Sequence, residues 1–233
     1  MKCVWEHNQN DTLLYSMDYV GAYTRGSTLE AAVEKMEHEI AAYSLWIGRP
    51  VPQSDIIEIV QEKSSDLQIA DADSDVLFDS EMTPFTREEY EKLKTLVLKS
   101  AQDFFDLYSS ITNKEDSCLP HRMTFYGNVP RTAQEMYDHT KNVNAYYFGE
   151  IGIDADNDGT IYDCRKRGFE RLEQTADFLE NPIFDGSYGE LWTLRKVMRR
   201  FLWHDRIHAK AMCRMAVKTF GKYGAKNIFH FNI

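Results

Sequence analysis

Apolar and polar positions alternate in two different ways along this chain. Over the first 62 residues, β-branched and aromatic residues come in short runs, CVWEH and TLLYSMDYVGAY, separated by the turn-forming NQND. Runs of that length and composition predict two or three strands. After the glycine turn TRGST, Thr28 can cap a helix whose apolar face is Leu29, Ala32, Val33, Met36, Ile40 and Tyr43 or Ser44. Gly48, Pro50 and Pro52 stop that helix, and DIIEIVQE reads as a closing strand.

From Pro84 onward the period lengthens to that of a helix. Tyr90, Leu93, Val97, Ala101, Phe104 or Phe105 and Tyr108 lie on one stripe, and Thr86 with Glu89 forms a capping box before it. Thr132 and Glu135 repeat the capping box ahead of Met136, His139, Val143, Tyr147 and Glu150. A third helix is expected from about Tyr162 to Leu179, with Phe169, Leu172, Ala176 and Leu179 inward, ending at Asn181-Pro182 because proline bars its predecessor from helical backbone. The longest stretch, Glu190 to Phe220, has no internal proline or glycine and carries Leu194, Val197, Phe201, His204, His208, Ala211 and Met215 on one stripe. The fold class expected is α+β: a small α/β domain over residues 1–62, an acidic Ser- and Asp-rich linker over 63–83, and a helical bundle with a C-terminal tail over 84–233.

Two imidazoles on successive turns change the reading of that last stripe. A neutral imidazole buried without a partner wastes hydrogen-bonding capacity, and a charged one costs far more. Histidines at i and i+4 are also the spacing by which one helix face offers two nitrogens to one metal ion, and His139 would add a third from a neighbouring helix. Three neutral nitrogens leave a fourth position open, as catalytic metal sites do. The plain alternative is that one histidine satisfies a core hydrogen bond while another lies at an edge.

The segment MYDHTKNVNAYYFGEI followed by HDRIH on a later helix resembles the DinB/YfiT-like family of metalloenzymes, over about Pro84 to Gly221. The resemblance implies a four-helix bundle and a divalent metal, usually zinc or nickel, held by His139, His204 and His208. Characterised relatives in that family include transferases and isomerases that use low-molecular-weight thiols. The N-terminal order of strands, helix and strand, with GAYTRGSTLEAAVEKMEHEIAAYSLWIGRPVP, resembles the HicB-like fold, without a DNA-binding appendage. That resemblance implies a packing or dimerisation unit, and so allows a homodimer.

Composition narrows the classes further. The chain has 233 residues, 43% hydrophobic and 27% charged, with a formal net charge of −10, which argues against nucleic-acid binding through the whole surface. No run long enough for a membrane span and no signal-peptide core is present, so a cytoplasmic protein is expected. Cys3, Cys118, Cys164 and Cys213 form no CxxC pair and are read as reduced; Cys164 and Cys213 are reactive thiols or small buried hydrophobes. Residues 186–233 hold ten Lys and Arg against two acids, Glu190 and Asp205. Arg195, Arg199, Arg206, Lys210, Arg214 and Lys218 are placed on the face of the last helix away from the histidines, as a solvated face pairing with the acidic body or as a docking surface for an anion.

Other candidates carry bland alternatives beside the sharp ones. His121, in the connection LPHRMTFY, is a fourth ligand or proton shuttle, or an exposed loop residue. Asp154, Asp156, Asp158 and Gly159 match the opening of a calcium loop, but Arg165 stands where a bidentate Glu is required, so a capping turn is the better account. Asp138 and Asp205 are candidates to hydrogen-bond the ligands they adjoin, or plain surface residues, since adjacency on a helix turns them about 100° away. Tyr146, Tyr147 and Trp203 line the pocket or fill core. His38 is read as a surface residue, the aromatic tail GKYGAKNIFHFNI is expected to pack against the N-terminal module with His230 as part of that packing, and no residue is singled out as a general base. The expected function is a metal-dependent transferase or hydrolase acting on a small electrophile, with a thiol as co-substrate. The competing expectation is a non-catalytic binding protein that uses its N-terminal module to hold a partner.

Overall fold

The computed structural model describes residues 1–53, 56–71, 73–124 and 127–233, and it is a mixed α and β structure. Strands β1 (Lys2–His7), β2 (Thr12–Ser16) and β3 (Tyr23–Gly26) lead into helix α1 (Leu29–Trp46), and β4 (Glu58–Ser64) closes the unit. The sheet runs in the order β3-β2-β1-β4, with β1 antiparallel to β2 and parallel to β4. A parallel neighbour needs a crossover, and α1 supplies it. Thr28 accepts from the backbone N–H of Ala31, which fixes the start of α1 as the sequence expects.

Alternation along the strands sends side chains to two buried faces. Cys3 and Leu14 face α1, together with Ala32, Met36 and Ile40. Val4, Leu13 and Tyr15 face the other way and pack on Ile69, Val76, Phe78 and Trp203. A sheet with one solvated face would need only the first set, so the second set means that something else covers this sheet. The cover is the 69–78 segment and the last helix. The acidic 63–83 stretch, expected as a linker, is therefore packed: its Ile69, Val76 and Phe78 are buried.

The remaining helices are α2 (Arg87–Ser110), α3 (Ala133–Gly149), α4 (Ile161–Leu172) and α5 (Leu194–Phe220). Helices α2 and α3 each pack on both α4 and α5. The capping boxes of Thr86 with Glu89 and Thr132 with Glu135 are both formed. Close approach of α3 and α4 needs a glycine, since a Cβ at Gly168 would lie 2.2 Å from the Phe148 ring. Gly21, with φ +88°, lets the β2–β3 turn touch α5, where a Cβ would meet Leu202 Cβ at 2.5 Å.

Three expectations are corrected. Helix α4 stops at Leu172 rather than about Leu179, and Ala176 is exposed. The chain turns there, with Asp177 at φ 54°, so that Phe178 packs edge-on to Tyr90 at 5.0 Å. Helix α5 begins after Thr193, which accepts from Lys196 N–H, and not at Glu190. The basic face of α5 is not uniformly solvated: Lys196, Arg199 and Arg206 are buried. Arg199 binds Glu81 (Nε to Oε1, 2.5 Å) and Arg206 binds Glu39 (Nε to Oε1, 3.0 Å), because α5 lies between the other helices and the sheet. Those cations are engaged internally and form no docking surface. Of the residues named in the LPHRMTFY connection, Phe125 and Tyr126 lie outside the described residues. The C-terminal tail packs near α1 as expected, with Phe229 stacked on Trp46 at 5.2 Å, but His230 is exposed and takes no part in that packing.

Candidate metal centre

Helix α3 contributes His139 and helix α5 contributes His204 and His208, and the packing of the two helices brings all three rings together. Ring centroids are 5.0 Å apart for His139 and His204, 4.6 Å for His139 and His208, and 4.4 Å for His204 and His208. One ring nitrogen from each lies within 4.8 Å of the others, and the two Nε2 atoms of His139 and His204 are 3.2 Å apart. Nitrogens bound to one tetrahedral zinc at about 2.0–2.1 Å must sit roughly 3.3 Å from each other. Small side-chain rotations would bring the remaining pair distances to that value.

The burial is graded. His204 is buried, His208 is half-buried and His139 is exposed, so the cluster opens to solvent on the α3 side. Loss of hydration disfavours the charged form of all three rings. Burial pushes His208 down to about 3, with the neighbouring His139 adding to the effect. Burial also holds His204 well below its usual value, reinforced by His208, His139, Arg200 and Arg165, and partial loss of hydration at the ring lowers His139 as well. The rings are neutral at neutral pH, with lone pairs free for a Lewis acid.

His204 has a further peculiarity. Its Nδ1 is buried with no hydrogen-bond partner. Without an ion, the neutral ring leaves Nδ1 unpaired in either tautomer, while Nε2 faces another imidazole nitrogen. Metal-ligating histidines normally donate their second N–H to an acceptor, and His204 lacks that partner. The donor set, its neutrality and the convergence of one ring nitrogen from each histidine fit a divalent ion; the unpartnered Nδ1 of His204 is the one departure.

The other candidates separate cleanly. Asp138 accepts from Gln134 Nε2 at 2.8 Å, and Asp205 is held by Arg165 and Ser100, so neither reaches an imidazole. Asp205 is completely buried and forms a bidentate ion pair with Arg165 at 2.6 and 3.1 Å, a role that neighbour-counting from His204 does not reveal. His121 bonds Asn128 Oδ1 at 2.8 Å in an exposed loop and stays outside the cluster. Tyr147 stands edge-on to His204 at 6.1 Å, Tyr146 is partly exposed beside it, and Trp203 turns toward the sheet against Tyr15 and Tyr23. In the acidic turn, Asp156 is taken by Arg167 and Arg171, and Thr160 with Asp163 caps α4. Arg165, at the calcium loop's last position, is buried against Asp205.

The four cysteines are unpaired. Cys3, Cys164 and Cys213 are buried, and burial pushes the Cys213 thiol up to about 12, which suits a small apolar residue rather than a nucleophile. Among the described residues, no helix is long and apolar enough to cross a membrane. One residue that the sequence reasoning passed over is Arg200, four before His204 and so on the same face of α5; counting one turn back from the first histidine of the pair would have found it. Searches of family models, of curated proteins and of solved structures returned no match for this chain.

Proposed function

We propose that the protein is a metal-dependent enzyme whose divalent ion is held by His139, His204 and His208. The observation that carries this reading is the meeting of three neutral imidazoles, from two helices, within 4.8 Å of one another at a solvent-facing edge. The packing of α2 to α5 supports a bundle of the DinB-like kind, and the ββ-β-α-β order of the N-terminal part supports a HicB-like module. Nitrogen ligands suit zinc and nickel alike.

When bound, the ion would supply Lewis-acid chemistry, lowering the pKa of a water or thiol at its open position so that a nucleophile exists at neutral pH. The protein's own part is positioning. Tyr147 packs edge-on to the His204 ring and limits its rotation, and Phe201 packs edge-on to Tyr147 in turn at 5.3 Å. Burial of His204 closes the inner side to water, while exposed His139 marks the side from which a reactant enters. Transfer of a low-molecular-weight thiol to a small electrophile, or hydrolysis of one, is the reaction class that fits such an arrangement. A second reading, partner binding without catalysis, is supported by the apolar groove between α1 and β4 lined by Leu29, Val33, Ile40 and Ile59.

Metal analysis of the purified protein separates the two. One equivalent of zinc or nickel per chain is expected, and it should disappear in a His204→Ala, His208→Ala double variant that keeps the wild-type circular dichroism. A folded wild type that neither contains nor takes up either ion overturns the metal reading.

A further inference from the structure

The inward-facing cations of α5 differ in one respect. Lys196 pairs with Glu190 at 2.8 Å, Arg199 with Glu81, and Arg206 with Glu39. Arg200 has no carboxylate within ion-pair distance among the described residues. Among the described residues its side chain makes one hydrogen bond, from Nη1 to the backbone carbonyl of Ser74 at 2.9 Å, and its Nε is buried without an acceptor. The nearby carboxylates are committed elsewhere: Glu190 to Lys196, and Glu6 to Ser74, Tyr15 and the Asp75 amide.

Position makes this unpaired cation informative. Arg200 lies four residues before His204, so about one helical turn, roughly 5 to 6 Å of rise, separates them along α5. Its guanidinium lies over the Trp203 ring at 4.7 Å and over the Tyr147 ring at 5.7 Å, and Tyr147 in turn stands against His204. Stacking and the Ser74 carbonyl fix the plane of the fork and occupy one end of it. Nε is left without an acceptor, and a guanidinium can receive two oxygens of a planar anion through its Nε–Nη2 edge. Among the described residues no carboxylate lies within ion-pair distance of this cation, and it stands one turn from a histidine of the proposed metal site, so a ligand can bring the negative partner it lacks.

We propose that Arg200 is the specificity determinant for an anionic oxygen group, a carboxylate or a phosphate ester, on the substrate whose reacting end sits at the three histidines. The inference rests on the metal reading above and names the substrate class it leaves open: a small organic anion rather than a neutral electrophile.

The test uses the full chain loaded with cobalt(II), whose visible spectrum reports ligands at the open position. Imidazole-4-acetate and neutral 4-methylimidazole offer the same metal-binding ring with and without a carboxylate. Wild type should bind the first at least about tenfold tighter, the range of a charge-assisted contact, and the preference should shrink to within about twofold in Arg200→Gln with cobalt stoichiometry unchanged. Arg200→Lys, which keeps the charge and loses the fork, should fall between. Competition by acetate against inorganic phosphate tells which anion the edge prefers, and stronger displacement by either supports an anion subsite. Equal affinity for the two imidazoles in wild type, a preference that survives in Arg200→Gln, or no displacement by either anion overturns the proposal while leaving the metal site standing. A wild type that takes no cobalt fails the metal reading itself, and this inference with it.

Discussion

Two neighbouring residues of α5, His204 and Asp205, head two buried polar groups that are built on opposite terms. Asp205 is satisfied on every side: Arg165 grips it with two bonds, Ser100 donates a third at 2.7 Å, and Arg165 lies over the Phe201 ring at 4.2 Å. His204 has another imidazole at 3.2 Å and a buried Nδ1 without a partner. The ion pair ties three helices together and leaves neither oxygen of Asp205 free for another partner. An open cluster of neutral donors contributes little to the fold and is free to bind. The difference teaches that burial alone does not mark a site; unmet bonding capacity at a solvent-facing edge does.

The sharpest way to break the comparison is to unbalance the closed pair. Asp205→Ala leaves Arg165 buried without a counter-charge and should cost about 3–5 kcal/mol, read as a lower urea midpoint; a loss below about 1 kcal/mol would mean that the pair is no more than a passenger. The open cluster should respond to its ion instead. Zinc at a hundred times its dissociation constant should stabilise wild type by about 2.7 kcal/mol, and His208→Ala should abolish that gain. Equal stabilisation of wild type and variant would place the ion elsewhere.

Acid should separate the two groups next. The three histidines have folded-state values below the unfolded 6.5, so between 6.5 and about 3, the value for His208, the unfolded chain binds more protons than the folded one. Stability therefore falls as pH drops from 7 toward 4 and is fully present above 6.5. His204→Asn with His208→Asn should flatten that part of the urea-midpoint profile, and an unchanged slope would assign it to carboxylates. The smallest effect concerns charge already paired: Lys210→Gln removes a half-exposed partner lying 3.4 Å from Glu39, which Arg206 also holds, and should change stability by less than about 1 kcal/mol. A larger loss would show that Arg206 alone does not satisfy Glu39.

Local patterns in the sequence are enough to locate much of this. The caps at Thr28, Thr86 and Thr132 rest on side chains bonding backbone three residues away, so a few letters carry them. The histidines at 204 and 208 share a face because of helical period alone. The stripe on α3 was less legible: Ala133, Met136, Tyr137, Thr140, Asn144, Tyr147 and Phe148 are buried, and His139 sits at their edge. A stripe drawn through His139 and Val143 is rotated from the true one by less than a turn, which one helix's periodicity cannot correct. The end of α4 was misplaced for a similar reason, since its unwinding lets Phe178 reach Tyr90, 88 residues away in the chain.

By itself, then, the sequence determined the strands, the capped helices, and two imidazoles on one helix face, because those depend on neighbours within a turn or a hairpin. The tertiary structure alone decided that α5 is enclosed on both sides, that Arg199, Arg206 and Arg165 find Glu81, Glu39 and Asp205, and that Arg200 finds no carboxylate among the described residues. Those pairings join positions 40 to 167 residues apart, where no period links one charge to another and only the packing of whole elements sets which opposite charges meet. The arrival of His139 beside the other two is of the same kind, since it depends on how two helices lie together.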